Sequence, residues 1–239
     1  MPLSSVLGLR RAMPQLRLFD LYGLTETHSP ATCLYDHEFR RKPGSVGRPV
    51  FYAEFRVVDD DGNDVARNDP GEPWIKGPMV TPGYFNDAAA NESAITDGWL
   101  HTGDYGKIDD EGYVYLLDRK KDMIIRGGFK IYSVELEYLL VSHPAIEQAA
   151  VFGIPGSDVQ VEAVCAFVVA ASGTSTISDE VQRSVKENMA DYGVPCHIRI
   201  VNEIQRNLTG KIDKVMLRDL LIVEVSPGRN RKSVEGPAA

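Results

Sequence analysis

The sequence predicts a mixed α/β (α+β) chain: a β-rich, barrel-like first part, a charged linker, then a small α+β domain. Three observations predict it. Gly and Pro recur at short intervals from Gly44 to Gly83, between short strand-like runs, the texture of many strands joined by tight turns. After Asp122, strand-like apolar runs alternate with stretches of helical periodicity, as in a compact layered domain. Hydrophobic residues make up 43% and charged residues 25% of the 239, values that exclude a disordered chain and a collagen-like fibre. At about 150 residues per domain, the length allows one to two domains.

The remaining composition narrows the function classes. The longest apolar run, 163–171, is far shorter than the ~20 residues of a membrane helix. No charged-then-apolar start resembles a signal peptide. With 26 basic against 34 acidic residues the net charge is −8, which argues against a nucleic-acid binder. It leaves room for a small polyanion held by a few cationic side chains. Cys33, Cys165 and Cys196 form no CxxC pair and are odd in number, the usage of a reduced, cytoplasmic protein.

Taken in order, Val6, Leu9 and Met13 share one face of a short helix over Ser4–Pro14. The alternating run Leu16–Leu21 reads as a strand that ends in Tyr22-Gly23-Leu24-Thr25-Glu26. Ala53–Val58 and Tyr113–Leu117 are further strands. The acidic run Asp59–Asn63 lacks EF-hand spacing and its closing Glu, so it is read as a hairpin turn. Ser133 is expected to cap a helix in which Leu136, Leu139 and Leu140 share a face and which Pro144 stops. Ala149–Ile154, Ala163–Ala170 and His197–Val201 are strands by composition. Ser178 is expected to cap a second helix, with Asp179 and Glu180 in its first turn and Val181, Val185 and Met189 as its stripe. Gly193 and Pro195 end it. A last helix is expected over Ile212–Leu221, and a mobile tail over Ser226–Ala239.

Four segments carry chemistry-bearing residues. In Tyr22–Glu26, an aromatic face can stack on a planar base, a Thr hydroxyl and a backbone turn can donate to phosphate, and a Glu can hold Mg²⁺ beside phosphate oxygens. In Gly98–Asp104, followed by Asp109–Tyr113, the Asp104 carboxylate can accept both hydroxyls of a ribose. In Asp118–Ile131, Arg119 offers a planar fork of donors, and Gly127 and Gly128 admit a ligand close to the backbone. In Asn207–Ile212, Lys211 projects a mobile point charge from a Thr-Gly turn that is not a P-loop. Each also has a plain reading as a strand end, a turn, a charged linker or a loop. The five histidines lack metal-ligand spacing, and His28, two residues after Glu26, is read as a surface or satisfied core residue.

Together and in this order the segments resemble the adenylate-forming enzymes, the family of acyl-CoA synthetases, luciferases and peptide-synthetase adenylation domains. YGLTE, GWLHTGD with DDEGYVY, DRKKDMIIRGGFKIYSVELE and NLTGKIDK carry the resemblance, and GEPWIKGPMVTPGYFND between them is similar as well. It covers about Ala12 to Leu221, and DRKKDMI looks most like the acyl-CoA synthetases. The resemblance implies ATP (leaving as AMP), Mg²⁺, coenzyme A and a small carboxylic acid as ligands. It implies that Tyr22 stacks on adenine beside Gly23, Thr25 touches the α-phosphate and Glu26 the Mg²⁺. Asp104 would hold the ribose hydroxyls with Arg119 beside it, and Lys211 would bridge the substrate carboxylate and α-phosphate. Lys121 falls at the family's hinge, and Gly127 and Gly128 line the pantetheine path. Residues 1–118 would then be an incomplete C-terminal portion of the large domain, 119–225 the small mobile domain, and 226–239 a disordered tail. The family's phosphate loop is not in the chain, so a separate N-terminal half is an expected partner; the other reading is a non-catalytic nucleotide- or partner-binding remnant. Ser133, Val161 and Ile204-Gln205 stand where the family usually has Pro, Gly and Leu-Pro, and none is an expected ligand contact.

Overall fold

The computed structural model describes residues 3–156, 161–171, 183, 185–187, 193–208 and 210–225. Ser178, Asp179, Glu180, Val181, Met189, Thr209 and the tail from Ser226 lie outside the described residues, and with them the expected cap and first turn of the second helix. The chain divides into two compact units between Lys121 and Asp122. Among the described residues no helix is long and apolar enough to cross a membrane.

The first unit begins with α1 (Leu3–Ala12), β1 (Asp20–Tyr22), β2 (Thr32–Leu34), β3 (Ser45–Pro49), β4 (Glu54–Val58) and β5 (Glu72–Lys76). It continues with α2 (Ala88–Ala94), β6 (Ile95–Thr96), β7 (Trp99–His101), β8 (Asp104–Ile108) and β9 (Val114–Arg119). The expected barrel does not close. Among the described residues the strands form two open sheets, β1-β2-β3-β9-β8 and β4-β5-β7-β6, with antiparallel pairings throughout. The seam that would join them shrinks to one bridge, Gly71 with Gly106. Val57, Ile108 and Val114 pack together, as do Tyr22, Ala31 and Ile75.

The first strand is also shorter than the alternation Leu16–Leu21 predicts. The Leu18 N–H donates to Asp36 Oδ1 (3.0 Å), so a side chain takes the donor that a strand partner would have used. Arg10 binds the same carboxylate at 2.8 Å, which ties α1 to this corner. The acidic run is a hairpin turn: Asp59 N–H donates to the Asn63 carbonyl, and Asp59 Oδ1 accepts from Asp61 and Asn63 N–H. The sequence Asp109–Tyr113 repeats this turn, with Asp109 Oδ1 accepting from Glu111 and Tyr113 N–H.

The second unit contains β10 (Ile124–Arg126), β11 (Phe129–Ile131), α3 (Ser133–Ser142), β12 (Ile146–Pro155), β13 (Glu162–Ala170), β14 (His197–Val201) and α4 (Lys214–Val225); residues 185–187 are helical. β12 and β13 pair antiparallel, and β13 and β14 parallel. Val164, Ala166 and Val168 of β13 pack with Leu136 and Leu140 of α3. Cys165 and Phe167 pack on the other face with Leu217 and Leu221 of α4. A strand covered on both faces has no polar side to show, so it reads as an unbroken apolar run. That is why 163–171 is so hydrophobic. The expected Ser133 cap is corrected: Tyr132 occupies the cap position without a side-chain bond, and Ser133 is fully buried. Its hydroxyl accepts from Lys214 Nζ at 2.6 Å, and Lys214 also pairs with Glu137 at 2.8 Å, which pins α4 to α3. Asp213 caps α4 by accepting from Met216 N–H at 3.1 Å, so that helix starts two residues later than its periodicity suggests.

Candidate functional site

Asp104 opens β8 directly opposite Arg119 on β9. Its two carboxylate oxygens have different donors: the Tyr22 hydroxyl on Oδ2 at 2.6 Å, and Arg119 Nε on Oδ1 at 3.1 Å. An ionised carboxylate has about four lone-pair positions, so both oxygens keep an acceptor position for a ligand. The Asp104 side chain is 13% exposed and that of Arg119 is 49% exposed, so the carboxylate is shielded while its cationic partner faces solvent. Burial, then the neighbouring Asp104 charge, push the Tyr22 phenol far up. Tyr22 therefore keeps its proton and donates a hydrogen bond to Asp104.

Thr102 holds this carboxylate from behind. It is buried, donates to the Pro73 carbonyl (2.7 Å) and accepts from Asp104 N–H (3.2 Å). Glu72 accepts from Gly103 N–H at 2.9 Å and from Lys120 Nζ at 3.3 Å. Sequence reasoning assigned no role to Thr102 or Glu72. Their signal was present, because a Thr and a Glu at strand ends in a β-rich region are the residues that satisfy turn N–H groups.

The loop after β1 is built around Thr27, also missed by sequence. It is fully buried; its Oγ1 accepts from Leu24 N–H (2.9 Å) and lies 2.9 and 2.8 Å from the Leu24 and Ser29 carbonyls. This folds the chain back so tightly that a Cβ on Gly23 would lie 2.7 Å from the Ser29 carbonyl oxygen. Glycine is required there for space. The 3-10 turn Thr25–Thr27 leaves Thr25 exposed and Glu26 partly so. Glu26 Oε1 accepts from the Tyr84 hydroxyl at 2.8 Å, and this bond raises the Tyr84 phenol. His28 is exposed, with Nδ1 3.2 Å from the Met79 carbonyl.

Among the described residues no group of three or more His, Cys, Asp or Glu side chains could hold a metal by itself. A single carboxylate does fit Mg²⁺, which usually takes one or two carboxylates plus substrate phosphates and water. Glu26 is such a carboxylate.

The second unit carries the other candidates. Gly127 and Gly128 are the two central residues of the β10–β11 hairpin, with φ of 58° and 83°. Two consecutive positive φ values define a type I′ turn, which only Gly, Asn and Asp enter readily. Nothing lies within 4 Å of where their Cβ atoms would be, so the turn accounts for both glycines and leaves their backbone open. Lys211 closes a tight loop: its N–H donates to Asn207 Oδ1 (3.1 Å), its carbonyl accepts from Asn207 N–H (2.8 Å), and Arg206 Nη1 donates to the Gly210 carbonyl (3.0 Å). The Lys211 side chain is exposed. Lys121, exposed too, is the last residue of the first unit.

A shielded carboxylate with spare lone pairs, beside an aromatic hydroxyl and a cation, can accept two ligand hydroxyls at once. Family models place the chain more closely: "AMP-binding enzyme" matches residues 1–85 and "AMP-binding enzyme C-terminal domain" matches residues 135–211. The chain belongs to the AMP-binding enzymes. It is 37% identical over 204 residues to a 2-succinylbenzoate–CoA ligase of Geobacillus, covering 85% of this chain and 41% of that one. It is 38% identical to a long-chain-fatty-acid–CoA ligase of Yersinia pestis, covering 84% and 35%. The solved structure of Bacillus subtilis o-succinylbenzoate coenzyme A synthetase in complex with ATP and magnesium ion matches with a TM-score of 0.81 at 35% identity, covering 92% of this chain and 44% of that one. The chain thus spans about four-tenths of the length of these relatives.

Proposed function

We propose that this chain is the nucleotide- and thiol-handling part of an ATP-dependent acid–thiol ligase of the acyl-CoA synthetase type. The observation that carries the reading is the Asp104 carboxylate, bonded by Tyr22 and Arg119 yet keeping an acceptor position on each oxygen. Two vicinal ribose hydroxyls need two such acceptors. The purine lies beside Tyr22, whose side chain is largely buried against Ala31 and Ile75, Gly23 lets the loop turn beneath it, and Thr25 offers its hydroxyl to the α-phosphate. Glu26 would hold Mg²⁺, which would supply positive charge to offset that of the phosphates.

In the first half-reaction the substrate carboxylate attacks the α-phosphorus, the bond to pyrophosphate breaks, and an acyl-adenylate forms. Two anions meet, so a cation at the junction lowers the barrier; Lys211, on its exposed loop, supplies it. In the second, the coenzyme A thiol attacks the acyl carbon and AMP leaves. The open backbone at Gly127 and Gly128 borders the path of the thiol's pantetheine arm. The two steps need different groups at one place, which a small domain turning about Lys121 would deliver. This reading divides the chain into 1–118, part of the large domain, 119–225, the small domain, and 226–239, a tail. It places the protein in the cytoplasm, working with a polypeptide that supplies the phosphate loop, and its acid is an aryl or fatty acid of the kind its relatives are named for.

ATP–pyrophosphate exchange with a panel of carboxylic acids tests it, on the chain alone and with an N-terminal half supplied from a relative. Exchange that depends on the acid supports the ligase; nucleotide binding without exchange in either format would identify a non-catalytic remnant.

A further inference from the structure

The loop between β5 and α2 carries no role in the reading above, yet one of its side chains reaches Glu26. Tyr84 Oη donates to Glu26 Oε1 at 2.8 Å. The residue is 40% exposed, so this is no core contact that burial would enforce. It is held instead by its main chain. Tyr84 N–H donates to Asn91 Oδ1 at 2.5 Å, and its carbonyl accepts from Asn91 Nδ2 at 3.0 Å. One amide side chain thus clamps both backbone groups of Tyr84. Asn91 is itself fixed on α2, whose first turn is capped by Asp87 Oδ1 accepting from Ala90 N–H at 3.0 Å. On the other side, Thr81 N–H donates to the Glu26 carbonyl at 2.7 Å. The loop therefore grips Glu26 at main chain and side chain together.

A phenol donates one hydrogen bond and brings no positive charge. It fixes a carboxylate's orientation without neutralising it. Glu26 Oε2 has no protein donor among the described residues, so the carboxylate is held by one oxygen and offers the other. Mg²⁺ demands near-octahedral geometry, and partners that orient a metal-binding carboxylate affect metal affinity strongly.

We infer that Tyr84 is a positioning residue: it holds one oxygen of Glu26 so that the other is presented to the divalent cation that accompanies a nucleotide polyphosphate. This rests on the ligase reading of the same loop.

One measurement on the full chain tests it: calorimetric affinity for metal-free ATP is compared with that for ATP with Mg²⁺. Tyr84→Phe is expected to lower the Mg²⁺-dependent gain about tenfold while metal-free ATP binds as before. An unchanged gain, or equal loss with and without Mg²⁺, overturns the positioning role and leaves the ligase reading standing. A wild-type chain that binds neither form, alone or with the N-terminal half supplied, overturns both.

Discussion

The Asp104 region and the Lys211 loop hold their key side chains in opposite ways. Asp104 is gripped from all sides: Tyr22 and Arg119 on its oxygens, Thr102 on its N–H. Among the described residues Lys211 is gripped only through its main chain, by Asn207, and its side chain is exposed. A group that recognises a ground-state ligand gains from being fixed beforehand, since ordering it on binding costs affinity. A group needed for one half-reaction and in the way of the next gains from standing on an exposed loop. Under the ligase proposal, the difference between the two regions is one between recognition and a timed electrostatic role.

The sharpest way to break this comparison is Lys211→Ala in an assembly that supports exchange. Adenylation is expected to fall about 10³-fold, while thioester formation from supplied acyl-adenylate stays within about twofold. Rapid-quench assays of each half-reaction measure it, and equal losses would reject the timed role. Next comes Asp104→Asn, which leaves the fold intact but weakens a charged acceptor. Nucleotide affinity is expected to drop about tenfold or more, since hydrogen bonds to charged groups contribute about 1.5–3 kcal/mol; calorimetric titration reads it.

Thr27→Val tests whether the grip on the loop is structural. It takes the acceptor from the part-buried Leu24 N–H, and urea melts are expected to show a loss of about 1–3 kcal/mol. Gly127→Ala is smaller on stability, about 1 kcal/mol for a non-glycine at positive φ, because open space surrounds the turn. If its effect on thioester formation is no larger than that cost explains, Gly127 is only a turn residue.

The smallest effect concerns pH. The Leu18 N–H and then Arg10 hold the Asp36 carboxyl below its ordinary value. A depressed folded-state value means that the stabilisation is present above the unfolded value near 3.9. It is lost as pH falls through the folded one. The first unit should lose stability below about pH 4, and Asp36→Asn should flatten that slope. Thermal melts between pH 3 and 6 would show it, and an unchanged slope would assign the acid sensitivity to other carboxylates.

Much of the second unit was legible in the sequence because its strands and helices carry strong periodic signals. Leu136 and Leu140 stand four apart on α3, and β13 alternates between two apolar faces. The first unit was harder. The alternation at Leu16–Leu21 suggested a longer strand, but Asp36 intercepts the Leu18 N–H from 18 residues away. Ser133 had the chemistry of a cap and is instead a buried acceptor for Lys214. In both cases a long-range side-chain bond outcompeted a local preference.

The sequence by itself determined the order of the motifs, the mixed α and β character, and the glycines that two consecutive positive φ values demand at Gly127 and Gly128. These are local: they depend on residue type and near neighbours. Only the tertiary structure decided that the first sheets stay open, that Tyr22 and Arg119 meet on Asp104 from 82 and 15 residues away, and that Tyr84 lies on Glu26. Contacts between distant residues depend on how strands pair, and strand pairing leaves no period in the sequence that names its partner.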